Sequence, residues 1–446
     1  MEDKKIESFG LPIRGAKIKT ALQKIVAIPS VIAPIIALPD HHQKSSLDAP
    51  TSIVVATKGM IIPSLSTPTL GCSMGLIKTN LTESDLTPEF LNQFFLHIKD
   101  HLIFKPYSRT ELILRWLGLK KDIPNGSSDS YDFTKEEYIQ AARFGASSLT
   151  NKYKLEQSII NSIDGAKESA RIDVLEGYSV GDIIPRAALV FGRSNVGYGF
   201  HGNHFLEIQV VDEIIDTQTS EMWGLKKGQV VISYHGGEGS LAFYVGRYFT
   251  ESKKVKLKER VTRLFAKLVF HGLKLKGWHI LRRPFIEISV DSREGRRYQR
   301  AIQAGRNVSQ VTKLAMIRRI TDALVKSSKK SVNVSLLWDT AHTSISEETI
   351  SGEDVIIHRN GAVRVTPDKP VLISGSDTVR TYVGIGNPKS ESYFYSADHG
   401  CGETIKEFTT KGEKPEEALD LITSLLERSD IISPVAYIRP IKTFRD

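Results

Sequence analysis

Residues 202–211 read GNHFLEIQVV, a small polar turn followed by apolar and β-prone residues. Such a run predicts a strand over 205–211 that begins after the turn. The strand would carry His204 at its start and Glu207 inside it, and Gly202 would let the backbone approach a ligand closely. The stretch therefore predicts a strand whose first end holds chemically active side chains.

Short segments of the same character recur along the chain, each with a potential metal ligand or nucleophile, most of them beside small residues. They are 39–42 (PDHH), 71–74 (GCSM), 235–239 (HGGEG), 339–342 (DTAH) and 398–402 (DHGCG). One such segment is weak evidence, because a lone His beside Gly is more often a hydrogen-bonded turn residue and a buried Cys is often a small apolar residue. Their recurrence in a chain of 12 His and 2 Cys favours a shared site.

Short β-rich stretches alternate with longer helical patterns around these segments. Strands are predicted at 51–58, 205–211, 229–234, 284–290, 331–338, 353–357 and 380–387, and helices at 84–99, 134–171, 254–275 and 298–328. This order is typical of an α+β fold, and the sequence contains neither a phosphate loop nor a dinucleotide-binding glycine motif. We therefore predict an α+β protein rather than a doubly wound parallel sheet.

Composition places the chain among ordinary globular proteins, since 40% of its 446 residues are hydrophobic and 25% are charged. Cys72 and Cys401 are too few for a disulfide framework and favour a reducing compartment. No apolar run approaches the ~20 residues of a membrane span, and the first residues lack the apolar segment of a signal peptide. We expect a cytoplasmic protein that does not enter a membrane.

Positive charge is concentrated in one part of the chain, although the net charge of +9 is modest. A run of Lys and Arg extends from Lys253 to Arg283, and Arg296, Arg297 and Arg300 follow it. Two interpretations stay open, a solvated helix face or a surface that follows a phosphate backbone. On the second interpretation these three arginines are candidate RNA-binding residues.

Eight stretches follow one another in the order of a known set of motifs. Each stretch is given with the motif that it resembles: 38–42 (M-P-D-x-H), 54–74 (A-T-x-G-x-x-I-P to G-C-G-M), 202–208 (G-N-H-F-x-E-I), 298–307 (Y-x-x-A-x-x-A-x-x-N), 339–342 (D-x-x-H), 355–364 (V-H-R-K-G-A-x-R), 370–376 (P-x-L-I-P-G-S) and 398–402 (H-G-A-G). In this respect the chain resembles the RtcB family of GTP-dependent RNA ligases. The resemblance implies one large domain over 1–446, with central β-sheets surrounded by helices and a mostly helical insertion at 82–171.

The resemblance also implies a metal centre. The family's ligands fall on Cys72, His204, His235 and His342, and the family metal is Mn²⁺, although this donor set also suits Zn²⁺. A family aspartate that completes a second ion site is replaced by Thr69. We therefore expect one firmly bound ion, with weak occupancy near His204.

The implied nucleophile is His399, which would carry GMP from GTP as a phosphoramidate. The positions that match the family's guanine nucleotide site are Asn203, Glu207, Ser376, His399 and Arg445. The implied reaction joins an RNA 3′-phosphate, or a 2′,3′-cyclic phosphate, to a 5′-hydroxyl. The resemblance also suggests an archease-like activator as a further partner.

Several family arginines are missing. Glu238 and Gly239 stand in a loop where the family has an arginine, and Glu403 and Glu407 replace two more. Because glutamate repels phosphate, these changes reverse the charge of possible phosphate contacts. Two hypotheses remain: an active ligase, or a degenerate homologue that binds metal, nucleotide or RNA without joining ends.

Overall fold

The computed structural model describes residues 6–44, 47–66, 70–102, 133–184, 188–192, 204–237 and 285–444, with isolated positions at 110, 114, 117, 119, 241, 245 and 261. Its strands are β1 (Ile6–Glu7), β2 (Val31–His42), β3 (Thr51–Thr57), β4 (Met60–Ile61), β5 (Ser73–Thr82), β6 (Phe205–Ile214), β7 (Gln229–Gly236), β8 (Ile288–Ser289), β9 (Val334–Ala341), β10 (Thr343–Ile350), β11 (Glu353–Asn360), β12 (Ala362–Arg364), β13 (Pro370–Ile373), β14 (Thr381–Gly386), β15 (Ser396–Asp398) and β16 (Ile432–Phe444). Its α-helices are α1 (Gly15–Val26), α2 (Pro88–Leu102), α3 (Lys135–Phe144), α4 (Thr150–Tyr153), α5 (Gln157–Asn161), α6 (Ala166–Ser169), α7 (Val180–Ile183), α8 (Thr217–Trp223), α9 (Arg293–Ser327), α10 (Gly402–Lys411) and α11 (Pro415–Arg428).

The larger sheet has seven strands in the order β13-β14-β16-β6-β7-β5-β9, and every neighbouring pair in it is antiparallel. The strand predicted over 205–211 is its central member, β6. Antiparallel pairing throughout confirms the predicted α+β class, since a doubly wound fold would have a parallel sheet.

Helix α9 covers one face of this sheet. Apolar residues of β5, β6 and β7, such as Ile77, Leu206 and Ile232, lie in the same buried cluster as Val311, Leu314 and other α9 residues. The residue before the helix, Ser292, is its N-cap, and the Ser292 hydroxyl accepts a hydrogen bond of 2.9 Å from the Gly295 amide. Successive strand residues point to opposite faces, and the other face carries a second buried cluster that includes Met74, Leu76 and Phe205.

A second, five-stranded sheet has the order β1-β2-β3-β11-β10, with β1 and β2 parallel and the other pairs antiparallel. The short pair β12 and β15 lies beside it, and β15 leads directly into His399. The loop after β15 is joined to the end of β13, because Ser374 and Gly400 form a bridge. His399 therefore lies where the two sheets approach each other.

Some predicted elements differ in extent. The helical pattern at 134–171 is divided into α3 to α6. Gly145, Lys154 and Gly165, all with positive φ, lie at the three interruptions. The strand predicted at 331–338 is β9, shifted toward His342. Apart from position 261, the predicted helix at 254–275 and the basic run from Lys253 to Arg283 lie outside the described residues. The insertion at 82–171 and the single domain stay predictions.

Within the part of the chain that the structure describes, no helix is both long and apolar enough to cross a membrane.

Candidate metal centre and active site

The four predicted metal ligands lie at the ends of adjacent strands. Cys72 immediately precedes β5, and His235 is the penultimate residue of β7. His342 follows β9, and His204 precedes β6. Because β5 runs antiparallel to β7 and β9, its first residue, Ser73, pairs with Gly236 and Ala341. Sheet pairing alone therefore brings together residues that are far apart in sequence.

The ligand atoms of these side chains converge. The thiol sulfur of Cys72 lies 3.1 Å from His204 Nε2 and 3.4 Å from His235 Nε2. The Nε2 atoms of His235 and His342 are 3.0 Å apart. Cys72, His235 and His342 form a buried group whose ligand atoms all lie within 4.8 Å of one another. A cation fits at this point, because several lone-pair donors face the same small volume.

Two glycines and helix α9 position the Cys72 loop. Gly71 adopts φ +81°, and a Cβ there would lie 2.9 Å from Ser309 Cβ on α9. The Ser309 hydroxyl donates a hydrogen bond of 2.7 Å to the Gly71 carbonyl. A Cβ on Gly237 would lie 2.9 Å from that same carbonyl. Larger residues at either glycine would therefore push the cysteine loop away from the histidines.

Burial sets the protonation of the cluster in the absence of a cation. Burial raises the pKa of the Cys72 thiol to about 12, while the nearby Lys313 ammonium opposes this shift. Burial, followed by the neighbouring imidazoles, holds the pKa of His342 well below its usual range. The imidazole is then neutral and offers a lone pair, and a bound cation would supply the positive charge that a thiolate needs. The donor set therefore fits a divalent ion of the borderline class, such as Zn²⁺ or Mn²⁺.

His399 lies beside this group and has a defined orientation. Its ring stacks on that of His342, with centroids 4.1 Å apart and an interplanar angle of 18°. Its Nδ1 lies 2.8 Å from the Gly361 carbonyl oxygen. Because a carbonyl can only accept, the proton is on Nδ1 and the lone pair is on Nε2. Burial lowers the pKa of His399 to about 4, so its ring is neutral near pH 7.

The segment 39–42 contributes a helix cap through Asp40. Asp40 Oδ1 accepts hydrogen bonds from the Thr404 amide and hydroxyl, at 2.7 and 2.6 Å. It caps α10 from a distant part of the chain, just after the His399 loop. Glu407 is held by Arg14, whose Nε lies 2.9 Å from Glu407 Oε2. Glu407, predicted to replace a family arginine, is therefore paired with an arginine of the N-terminal segment.

The predicted nucleotide residues are only partly described. Glu207 is buried in β6, and its carboxylate accepts hydrogen bonds from Gln209 at 2.7 Å and Thr443 at 2.6 Å. The Ser376 hydroxyl accepts from the Val379 amide at 3.2 Å, in a turn two residues after Ser374, which forms the bridge to the His399 loop. Five other residues named in the sequence analysis lie outside the described residues. They are Asn203, Arg445, Thr69, Glu238 and Gly239.

The three candidate RNA-binding arginines lie in the first turns of α9. Arg297 donates to the Asp182 carbonyl at 2.7 Å, and Arg300 to the Asp173 carbonyl at 3.0 Å. Both side chains are half-buried, whereas Arg296 is exposed. These hydrogen bonds give two of the guanidinium groups a role in joining α9 to neighbouring segments. Their role toward RNA stays a prediction.

Sequence reasoning did not identify several residues that form this site. Gly361 orients His399, Ser309 holds the cysteine loop, and Arg14 pairs with Glu407. The sequence signal for Gly361 was its place inside the motif at 355–364, and the signal for Ser309 was its place on the long helix. Arg14 had no signal, because its partner is hundreds of residues away.

The fold and the cluster define a class: an α+β protein with a Cys/His metal centre beside an oriented histidine. The chain belongs to the RtcB family, since the family model described as "tRNA-splicing ligase RtcB" matches residues 21–428. Proteins of that name are similar to it along much of its length. The one from Methanococcus maripaludis is 23% identical over 428 residues, which is 89% of this chain and 79% of the relative. The one from Thermococcus kodakarensis is 24% identical over 406 residues, covering 85% and 75%.

The relative from Pyrococcus abyssi is 25% identical to this chain over 358 residues, which is 75% of this chain. The match spans only 34% of that relative's length. With identities of 23% to 25% to these relatives, the chain is a divergent member of the family.

Proposed function

We propose that this chain is a metal-dependent RNA ligase that joins an RNA 3′-phosphate, or a 2′,3′-cyclic phosphate, to a 5′-hydroxyl through GMP bound covalently to His399. GTP is the co-substrate and Mn²⁺ the metal, with Zn²⁺ as the other ion that the donor set accepts. The observation that carries the proposal is the stacking of an oriented His399 on His342, a member of the Cys/His/His cluster. Membership of the RtcB family supports it.

The protein prepares His399 as a nucleophile in two ways. The Gly361 carbonyl fixes the tautomer by accepting from Nδ1–H, which leaves the lone pair on Nε2. The lowered pKa keeps the ring neutral at the pH of a cell. A divalent ion held by Cys72, His235 and His342 would stabilise charge on phosphoryl oxygens.

The proposed reaction has three displacement steps at phosphorus. The Nε2 lone pair attacks the α-phosphorus of GTP, an N–P bond forms, and the bond to pyrophosphate breaks. An oxygen of the RNA 3′-phosphate attacks the same phosphorus, and the N–P electron pair returns to Nε2. The RNA 5′-hydroxyl attacks the activated 3′-phosphate, GMP leaves, and the hydroxyl proton passes to solvent. A cyclic phosphate is first opened by water to a 3′-phosphate.

A second candidate is a homologue that binds metal, nucleotide or RNA without joining ends. The observation that favours it is that Glu403 and Glu407 stand where the family has arginines, while Glu407 is engaged by Arg14 and by Lys411 at 2.7 Å. On this hypothesis the phosphate contacts needed for catalysis are missing.

Labelled GTP separates the two candidates. The purified chain is incubated with α-labelled GTP and Mn²⁺, and acid-labile label on the protein is measured before and after addition of RNA with a 3′-phosphate and a 5′-hydroxyl. The ligase predicts label that transfers to RNA and joined product. Tight nucleotide binding without any label would favour the second candidate. His97→Ala on α2 is the control and should label like the wild type.

RNA binding is tested at α9. Reversing charge at Arg296, Arg297 and Arg300 should weaken RNA binding and lower the salt slope by roughly one for each lost phosphate contact. Arg297 and Arg300 bind carbonyls of distant segments, whereas Arg296 binds the carbonyl of Asp291, just before the helix. Arg296→Glu alone is therefore the cleaner variant. RNA titrations at two salt concentrations measure the effect. An unchanged slope in a folded triple variant would mean that this surface does not bind RNA.

A further inference from the structure

A buried carboxylate lies directly behind the metal cluster. Asp339, in β9, is completely buried and lies three residues before His342. Its Oδ2 accepts hydrogen bonds from the Ser73 hydroxyl at 2.7 Å and from the Tyr234 hydroxyl at 2.8 Å. Its Oδ1 accepts from Lys313 Nζ at 2.9 Å. The carboxylate therefore has a donor on each of three separate elements.

The donors are the chain neighbours of the metal ligands. Ser73 follows Cys72, and Tyr234 precedes His235. One carboxylate consequently links all three strands whose ends bring Cys72, His235 and His342 together. Since the ligand atoms converge within 4.8 Å, a slip of one strand by a fraction of this distance would separate them.

Gly75 makes this link possible. It pairs with Tyr234 on one side and with Asp339 on the other, so it lies between them in the sheet. A Cβ at Gly75 would lie 2.1 Å from Cζ of the Tyr234 ring. Only glycine leaves space for the tyrosine to cross β5 and reach the carboxylate.

Lys313 connects the same carboxylate to α9. The ion pair is almost completely buried, with side-chain exposures of 2% for Lys313 and 0% for Asp339. Lys313 is four residues after Ser309, so both lie on one face of the helix. From this face α9 binds the Gly71 carbonyl and the Asp339 carboxylate together. Removing one member of a buried pair leaves an uncompensated charge, which is strongly unfavourable.

We propose that Asp339 and Lys313 are positioning residues for the metal centre, which hold the three ligand-bearing strands in the register that metal binding requires. This inference rests on the metal site of the proposed function. It assigns these residues no contact with substrate or metal.

Cobalt binding tests the proposal without any activity measurement. Co²⁺ is titrated into the metal-free full chain, and the thiolate-to-cobalt absorption in the near ultraviolet reports ligation by Cys72. Lys313→Met should weaken Co²⁺ binding by about 10- to 100-fold and reduce this absorption. The double variant Lys313→Met, Asp339→Asn should recover much of the affinity, because the amide oxygen still accepts from Ser73 and Tyr234 and no charge is left unpaired.

Glu348→Gln is the matched control. It removes one member of another buried pair, with Arg359, whose side-chain exposures are 4% and 0%. Its Co²⁺ affinity should stay within about twofold of wild type, because the pair does not bond to a ligand-bearing strand end. A similar loss of stability in the two variants with a loss of cobalt only in Lys313→Met would establish positioning rather than general destabilisation.

Wild-type affinity and spectrum in folded Lys313→Met would overturn the inference and leave the metal site intact. No cobalt binding by the wild type would instead overturn the metal site and the inference with it. If Lys313→Met does not fold, Tyr234→Phe and Ser73→Ala decide, since each removes one donor to Asp339. Both should weaken Co²⁺ binding by about 2- to 10-fold, and unchanged affinity in both would refute the proposal.

Discussion

The two sheets hold buried histidines in opposite ways. In the five-stranded sheet, His41 Nδ1 lies 2.8 Å from the Leu38 carbonyl and its Nε2 accepts from the Arg14 amide at 3.1 Å. His358 is similar, with Nδ1 near the Val55 carbonyl and Nε2 accepting from the Ile62 amide at 2.9 Å. Both nitrogens of each ring are therefore satisfied by backbone.

At the end of the seven-stranded sheet, the imidazoles instead face one another and a thiol. His235 and His342 direct Nε2 at each other, and His399 has backbone contact through Nδ1 while its Nε2 has no hydrogen-bond partner among the residues described. Burial lowers the pKa of His41, His358 and His399 alike, each to about 4. Low pKa and burial therefore do not distinguish a reactive histidine; the partner of its second nitrogen does.

The largest effect should come from the thiol. Cys72→Ala should reduce bound metal to background, because this sulfur contacts both His204 and His235 and no other described residue offers a thiolate at that point. His358→Gln should retain the wild-type metal content. Metal analysis after dialysis measures both. Stoichiometric metal in Cys72→Ala would show that the imidazoles alone form the site. The thiol would then not be what distinguishes the histidines of the two sheets.

A smaller difference is expected between two histidines of the cluster. His342→Ala should weaken metal binding by more than about 100-fold, whereas His204→Ala should weaken it by about tenfold or less. His342 belongs to the group of three convergent ligand atoms, whereas His204, whose Nε2 lies near the sulfur, is not a member of that group. Titration of the metal-free chain with Mn²⁺ and Zn²⁺ compares them. Equal losses, or two firmly bound ions in the wild type, would contradict the expectation of one principal ion.

The smallest effect concerns stability and pH. Burial depresses the pKa of His358 from 6.5 to about 4 in the folded chain, so the unfolded chain binds more protons between these values. The stability from this residue is complete above the unfolded pKa and is lost as pH falls toward 4. Between pH 8 and pH 5 the loss is about 2 kcal/mol. His358→Gln should reduce the pH dependence of unfolding by this amount, measured by chemical denaturation. An unchanged dependence would mean that His358 accepts a proton without cost.

The sequence predicted the elements whose signal is local. The alternation in 205–211 indicated β6, and the mixture of strands and helices indicated an α+β class. It also predicted a long helix from 298, although not its start at Ser292, where a capping hydroxyl decides the boundary. The pattern at 134–171 missed two glycine interruptions, because positive φ at Gly145 and Gly165 depends on tertiary packing.

The site could be predicted as a set of residues but not as an arrangement. The motifs selected Cys72, His235 and His342, and sheet pairing brings them together. The segment 39–42 was grouped with the others as a possible source of ligands, yet its His41 is satisfied by backbone. Its partner Arg14 is distant in sequence, so no local pattern showed this. The carbonyl that orients His399 and the carboxylate behind the cluster are likewise tertiary contacts. No local pattern encodes which nitrogen of a histidine is left available.

We propose that the half-buried His399, unlike the backbone-satisfied His41 and His358, keeps a nucleophilic nitrogen, Nε2, available beside the candidate metal centre. The direct measurement is the location of the covalent GMP adduct after incubation with GTP and Mn²⁺, by mass spectrometry of the digested protein under conditions that preserve phosphoramidates. The adduct should be found on the peptide that contains His399 and should be absent from His399→Ala, whose metal content should equal that of the wild type. GMP on another residue, or label that persists in His399→Ala, would contradict the claim.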